Sequence, residues 1–380
     1  MIDKRVVISA QERRESLESE LNLALPHIGS GSVTDADASH NCENRIGVAQ
    51  IPLGVAGPIT VEGGHARGEF LLPLATTEGA LVASINRGSK AIALSGGAQV
   101  LATRVGMTRG PVFFTKTLKK SSQLTLWVKD NKEKLQKIAQ KTSSHIKLLD
   151  IQIKTLPDYV FLRFSFDTQD AMGMNMVTIA TDAIVAEIEK ATSIYCLALA
   201  GNFDIDKKPA WLNMIEGRGI KVLAEIILSN EVLNSVLKTS AQAMYDVWLG
   251  KCLIGSAMSG SLGFNAQFAN VIAALFIATG QDAAHIVEGS LGITTMRVEK
   301  DNLYCSITLP SLAVGTVGGG TQLPTQKEAL SILGIVGQND VLKFAEVIGA
   351  AVLAGEISLL ASLSVGTLAK AHVKLGRKQK

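Results

Sequence analysis

The chain has no Cys-x-x-Cys pair and no cluster of cysteine with histidine, so no metal site is expected from its spacing. Its four cysteines, Cys42, Cys196, Cys252 and Cys305, lie far apart and read as buried thiols in a reducing compartment. Aromatics make up 5% of the 380 residues, too few for base-stacking platforms. Charge is sparse and balanced: 37 Lys and Arg against 34 Asp and Glu give a net +3, which disfavours nucleic acid as a partner. There is no G-x-G-x-x-G after a strand, no Walker loop, no H-E-x-x-H and no G-x-S-x-G. An ordinary Rossmann site, a P-loop, a zincin site and a nucleophile elbow are therefore not expected. Long apolar runs are also missing. Phe268–Gly280 is 13 residues, short of the ~20 that a bilayer requires. Val347–Val365 is longer, but Glu356 sits at its middle and Gly349 and Gly355 dilute it. Both stretches read as buried helices. The opening MIDKRVVISAQERRE turns charged too soon for a signal peptide, so a soluble, cytoplasmic chain without a membrane partner is expected.

What is present is apolar residues at 47%, with 35 glycines, which predicts a large buried core in about two to three domains. Residues 9–24 read as a capped amphipathic helix, 66–74 as a strand and 78–93 as a helix. At about residue 110 the chain turns Lys-rich. Strand-like runs PVFFTKTL, LTLWVKD, HIKLLDIQIKT and YVFLRFSFD surround a helix at 131–141 and precede one at 176–192, the pattern of a small α+β module. Beyond Gly201, helices are predicted at 219–228, 230–247, 265–279, 325–333 and 340–370, the last bent by glycines. The layout is a 1–50 helical segment, a large domain of 51–109 and 201–380, and an inserted domain of 110–200.

Several polar groups stand in otherwise apolar or Gly-rich segments, and each reads two ways. Glu78 in LATTEGALVAS suits either a first-turn helix acid favoured by the dipole or a partly desolvated proton donor. Asp206-Lys207-Lys208-Pro209 is either a solvated turn or a cationic pair that polarises a carbonyl. Asp282 is either a helix cap or an acid in a cleft. His372 in LAKAHVKLGR is either a surface residue near a helix C-terminus or a general acid near neutral pH. Asp170-Ala-Met-Gly-Met-Asn-Met176 is either a Met-rich plug or a loop against a planar ligand. Gly318-Gly319-Gly320-Thr321 is either a flexible turn or a point of close backbone approach.

In combination the segments are more specific. ENRIG (43–47), IPLGVAGP (51–58), LATTEGALVASINRG (74–88), GMTRGP (106–111), DAMGMNM (170–176), GNFDIDKKP (201–209), IEGRG (215–219), GSAMSGS (255–261), ATGQDAA (278–284), VGGGT (317–321) and LAKAH (368–372) resemble the 3-hydroxy-3-methylglutaryl-coenzyme A (HMG-CoA) reductases. The blocks run in the family's order from about residue 43, in the wording of the class I biosynthetic enzymes of archaea and eukaryotes.

The resemblance implies an α+β fold: a large mixed, mostly helical thioester domain and an inserted small ferredoxin-like α/β sandwich that binds the cofactor without a Rossmann site. It implies a homodimer or higher homo-oligomer with active sites at the subunit interface. The implied reaction is the four-electron reduction of HMG-CoA to mevalonate and free coenzyme A with two NADPH. By motif match, Lys207 stabilises the oxyanion, Glu78 donates protons, Asp282 tunes both, and His372 protonates the departing coenzyme A thiolate. Arg109, Asp206, Lys208, Lys251 and Asn270 match acyl-pocket positions, and Ser84, Asn86 and Arg87 the coenzyme A side. Asp170, Met172, Gly173, Met174 and Asn175, with Gly318 and Gly319, match the nicotinamide side.

The chain departs from the family pattern in two places. Residues 260–268 read GSLGFNAQF, one glycine short of the usual GSxGGxNAHAAN, with Gln267 where histidine is usual. Ala200 stands where many members have serine. These departures keep open a non-catalytic binder of coenzyme A thioesters on the same fold, and an NAD-dependent mevalonate-oxidising enzyme is the other alternative. Lys132, Lys134 and Lys137 outweigh Asp130 in the segment expected to meet the 2′ position, which favours NADPH over NADH.

Overall fold

The computed structural model describes residues 9–367. Among these residues ten strands form one continuous sheet: β1 (Leu53–Gly63), β2 (Arg67–Ala75), β3 (Ala98–Arg109), β4 (Val112–Phe114), β5 (Lys147–Thr155), β6 (Tyr159–Asp167), β7 (Cys196–Ala198), β8 (Gly219–Leu228), β9 (Ile293–Glu299) and β10 (Asn302–Leu312). The pairings between these strands are antiparallel except β1 with β3. Strand β3 is shared. Its residues 99–104 pair with β8, whereas Met107, Thr108 and Arg109 pair with β6. The register slips between Arg104 and Gly106, and Gly106 has φ +96°. There one strand leaves the first half of the sheet and enters the second.

Each half has its own core. The larger gathers β1–β3 and β8–β10 against the helices Leu81–Leu94, Phe268–Ala278 and Val341–Ser364. The last of these buries 18 of its 24 residues, which is why it is apolar on every side rather than along one stripe. Among the described residues it is the one helix long and apolar enough to cross a membrane, yet 78% of its most apolar window is buried inside the fold. The smaller core joins β5, β6 and the helices Leu118–Asp130, Lys132–Thr142 and Met174–Thr192, around Phe113, Leu162, Phe164 and Phe166.

Several elements differ from the sequence reading. Residues 219–228 form strand β8 rather than a helix, with buried and exposed positions alternating from Ile220 onward. A period of two, not an apolar content, decides that segment. LTLWVKD is the end of the helix Leu118–Asp130, started by the Thr117 side chain accepting from Lys120 N–H. The predicted 230–247 helix is split into Asn230–Val232, a π-turn at Leu233–Leu237 and Ala241–Trp248. The long helix runs unbroken from Val341 to Ser364 despite Gly349 and Gly355. Of the cysteines expected to be buried, Cys252 and Cys305 are, but Cys196 is half-buried and Cys42 exposed.

Two buried carboxylates tie the long helix to its surroundings. Glu346 accepts from the N–H groups of His65 (2.8 Å), Ala66 (2.6 Å) and Ala102 (3.3 Å). Glu356 accepts from Ala266 N–H (2.8 Å), Gln267 N–H (2.6 Å) and the Thr294 hydroxyl (2.6 Å). A fully buried acid needs such donors, and burial still pushes the Glu356 carboxyl above its ordinary range, against the pull of those hydrogen bonds.

Candidate active site

A large open cavity of about 1290 Å³ lies between the helix Leu81–Leu94, the Gly255–Asn270 segment and the long helix. Its wall includes Glu78, Ser84, Arg87, Lys251 and Asn270, and it reaches Pro209 and Val287. Five of the residues picked from sequence thus share one surface. Glu78 stands in the turn between β2 and the helix, three residues before Leu81 and exposed in the single chain, so it is not a first-turn acid. Its N–H donates to Thr76 Oγ1 at 3.0 Å. Arg87 donates to Ser358 O, Ser358 Oγ (3.1 Å) and Ser362 Oγ, and Ser84 Oγ donates to Ser358 Oγ at 3.0 Å. These bonds fix the cation on the cavity wall, and burial lowers its pKa. Asn86 points elsewhere on the same helix, accepting from Gly57 N–H at 3.0 Å.

The Gln267 substitution has a structural use. Its side-chain amide donates to Gly355 O while its own N–H donates to Glu356. The cavity-lining segment is thereby sewn to the long helix.

Beyond Pro209 lies a dense charged cluster. Asn202, Ile205 and Lys207 all have left-handed backbone, φ +64°, +53° and +56°, a conformation that costs non-glycine residues energy and is held by its surroundings. The resulting loop aims Lys207 Nζ at Asp282 Oδ2, 2.7 Å away, with both side chains about one-third exposed. Asp282 does act as a cap: its Oδ1 accepts Ala284 N–H at 3.0 Å. Its second oxygen is left for the lysine. Burial alone would raise the Asp282 carboxyl, but the hydrogen bonds from Lys207 and Ala284, with the charges of His285 and Lys207, hold it below the usual range.

Arg218 supports this pair from beneath. It is wholly buried, and donates to Asp206 Oδ1 (3.0 Å), Glu288 Oε1 (2.6 Å) and Thr108 Oγ1 (2.8 Å). Glu288 Oε1 also accepts from Lys207 N–H at 3.3 Å. Arg109 donates to Asp204 Oδ2 (3.2 Å) and to Thr178 Oγ1 (2.7 Å), and lies 3.8 Å from Asp206 Oδ2. Burial lifts the Asp204 carboxyl, with Arg109 pulling against it. Lys208 turns out to solvent, donating to Asp206 O at 3.1 Å. Asp206, His285 and Glu288 bring possible ligand atoms within 4.8 Å of one another, but the Arg218 guanidinium already bridges both carboxylates and supplies the cation. The sequence reading missed Arg218, His285 and Glu288. Their one signal was the spacing Asp282-x-x-His285-x-x-Glu288, with Arg218 inside IEGRG.

The Met-rich loop forms a second feature. Asp170 is buried, and its two oxygens accept Asn339 N–H (2.6 Å) and Val341 N–H (3.3 Å), so it anchors the start of the long helix. Asp170 O accepts Thr316 N–H at 2.8 Å, and Ala171 bridges Val317. These contacts bring Gly318 and Gly319 toward Met172–Asn175. A Cβ on Gly318 or Gly319 would meet nothing within 4 Å among the described residues, leaving an open cradle. Gly173, at φ +85°, starts the 19-residue helix Met174–Thr192 without a side-chain cap, so its first N–H groups are available to an anion. His372 lies outside the described residues.

Comparison with known proteins agrees with this picture. A family model for hydroxymethylglutaryl-coenzyme A reductase matches residues 9–377. The 3-hydroxy-3-methylglutaryl-coenzyme A reductase of Methanocaldococcus jannaschii is 49% identical over 97% of this chain and 93% of its own length. The enzyme of that name from Aeropyrum pernix is 52% identical over 97% of this chain and 90% of its own length. In fold, the chain resembles the class II 3-hydroxy-3-methylglutaryl-CoA reductase of Streptococcus pneumoniae solved bound to NADPH, with TM-score 0.70 and 20% identity, covering 94% of this chain and 97% of that one.

Proposed function

The chain belongs to the hydroxymethylglutaryl-coenzyme A reductase family, and from that premise we propose how its own residues divide the work of an oxidoreductase that makes mevalonate for isoprenoid synthesis. The observation that carries the assignment is the Lys207–Asp282 contact of 2.7 Å beside a cavity that Glu78 enters.

The thioester lies along the cavity. Arg87 and Ser84 sit on the helix wall facing the coenzyme A portion, and Asn86, on another face of that helix, acts by holding Gly57. Lys251, Asn270, Arg109, Asp206 and Lys208 serve the acyl group, whose free carboxylate suits cations. Asp206 acts chiefly by holding Arg218 and Arg109 in place. Lys207 faces the carbonyl oxygen, where a fixed ammonium lowers the energy of the developing oxyanion. Asp282, kept anionic, holds that ammonium in position. Glu78 supplies protons. It needs a less aqueous setting than one chain provides, which pairing of two chains across the site would give. His372, by its motif, protonates the departing thiolate.

The cofactor domain is the 110–200 insertion, a ferredoxin-like arrangement without a Rossmann crossover. Its antiparallel strands with three helices support that reading. The open cradle at Gly318 and Gly319, the Met172–Asn175 loop and the uncapped helix start fit a nicotinamide dinucleotide. Each molecule bound there would supply one hydride, so the two reduction steps would take two molecules in succession. NADPH is favoured over NADH, although Lys132 and Lys134 already meet Asp150 (3.3 Å) and Glu187 (2.5 Å) and would have to exchange partners. The burial of the helix Val341–Ser364, the one of membrane length among the described residues, supports a soluble, cytoplasmic enzyme.

The test is turnover of purified protein with HMG-CoA and each cofactor. Two NADPH should be consumed per mevalonate formed. No turnover anywhere between about pH 5 and pH 9 would overturn the assignment.

A further inference from the structure

Behind the Lys207–Asp282 pair lies a histidine that the scheme above leaves unused. Asp282, His285 and Glu288 follow one another at three-residue intervals through the short helical stretch Ala283–Gly289. His285 and Glu288 are fully buried. His285 Nδ1 is 2.7 Å from Glu288 Oε1. Arg218 Nη1 also lies 3.3 Å from Nδ1 but donates to Glu288 Oε1 at 2.6 Å. An ionised carboxylate only accepts, so the proton between Nδ1 and Oε1 is assigned to Nδ1, and Arg218 and Lys207 N–H hold that carboxylate in place. The other ring nitrogen, Nε2, is buried with no hydrogen-bond partner among the described residues. It faces Asp282 Oδ2 at 3.7 Å, the same oxygen that meets Lys207.

A buried nitrogen without a partner calls for a reason. The charged groups around this ring are Asp282, Glu288 and Asp206 on one side of the balance and Arg218 and Lys207 on the other, while Arg109, 3.8 Å from Asp206, is offset by its closer partner Asp204. One negative charge is left over, and a proton on Nε2 would neutralise it. That proton would also turn Nε2 from a lone pair facing a carboxylate into a donor toward it.

We propose that His285 is a positioning residue for the reduction: by gaining or losing a proton at Nε2 it donates to Asp282 Oδ2 or withdraws from it, and so sets how firmly Asp282 holds Lys207 at the substrate oxygen. The proton comes from and returns to solvent through the Asp282 side, which is about one-third exposed. No bond other than N–H is made or broken. The inference rests on the family reading only through the role given to Lys207.

The experiment uses the full chain with HMG-CoA and NADPH across about pH 5–9, comparing the parent with His285→Gln and His285→Phe. His285→Gln keeps a side-chain donor but cannot titrate. It should hold kcat within a few-fold while its pH profile loses one ionisation seen in the parent. His285→Phe should lose roughly ten- to a hundredfold in kcat, as removal of a hydrogen bond to a charged group does, with KM for HMG-CoA little changed. In parallel, the ring signal of His285, assigned by its absence in His285→Gln, is followed by NMR against pH in the parent and in Asp282→Asn. Its titration should move when Asp282 is neutralised. Superimposable pH profiles of parent and both variants, or a His285 titration indifferent to Asp282→Asn, would overturn the inference. A parent without turnover would instead overturn the proposed activity, and the NMR comparison would still decide the role of His285.

Discussion

Lys207 Nζ and Asp282 Oδ2 meet at 2.7 Å although they come from a strained loop and from the cap of the short helical turn Ala283–His285. The loop is locked from below. Arg218 and Glu288 join Asp206, the Lys207 backbone and each other in one buried network. The ammonium therefore has its position set before a substrate arrives, and that preorganisation is what an oxyanion-stabilising cation requires.

Lys207→Ala should lower kcat by about two to three orders of magnitude while changing KM for HMG-CoA little. Steady-state kinetics on the variant and parent, together with an unchanged melting temperature, would check this.

Asp282 gives a pH dependence whose sign follows from its lowered carboxyl. A group with a depressed folded pKa contributes stability above its unfolded value and loses it as pH falls through the folded one. The loss therefore falls below about pH 4, the unperturbed aspartate range. Asp282→Asn should flatten the acid limb of stability in that window. The change should be small, since the pair is one-third exposed and partly screened. Urea melts from neutral pH down through this window would measure it.

Glu356→Leu should leave the Ala266 and Gln267 N–H groups and the Thr294 hydroxyl without their acceptor. A cost of about 3–5 kcal/mol is expected. Because residues 265–267 line the cavity, the same variant should raise KM for the thioester. Chemical denaturation and KM together distinguish this from a purely global effect.

Gly88→Ala should destabilise by about 1–3 kcal/mol or more, because a Cβ there would stand 2.0 Å from Ala354 O where two buried helices cross. Denaturant unfolding of the variant measures the cost directly.

Gly173→Ala should raise KM for the nicotinamide cofactor several-fold with a smaller effect on HMG-CoA. Its backbone is left-handed and a Cβ would press on Thr168 at 2.5 Å, so the Met-rich loop would shift. Separate KM values for the two substrates test it.

Patterns with a local cause were legible in the chain. The helix at 9–24 was visible through its Ser9–Glu12 capping box, realised over Ala10–Leu21. Strands β2 and β6 were visible as apolar runs of strand length. Strand β8 was misread because Ile, Leu and Ala at high density mask a period of two. The helix Leu118–Asp130 was misread because its β-branched and aromatic residues imitate a strand, and only packing against β5 and β6 decides for a helix. The glycines of the long helix looked like breaks, whereas each lets a neighbour approach, Val222 at Gly349 and Val271 at Gly355.

The sequence by itself determined the family, through ordered blocks that each carry chemistry, and with it the residue types able to polarise a carbonyl and deliver protons. It also determined that the core would be large and its long helix buried, since composition sets how much surface must leave water. Tertiary structure alone decided which of those groups meet. Arg218, His285 and Glu288 became a support for Lys207 and Asp282 because the end of one strand and a short helical turn converge under a strained loop. Electrostatic coupling depends on distance in space and on exclusion of water, and neither is a property of position along a chain.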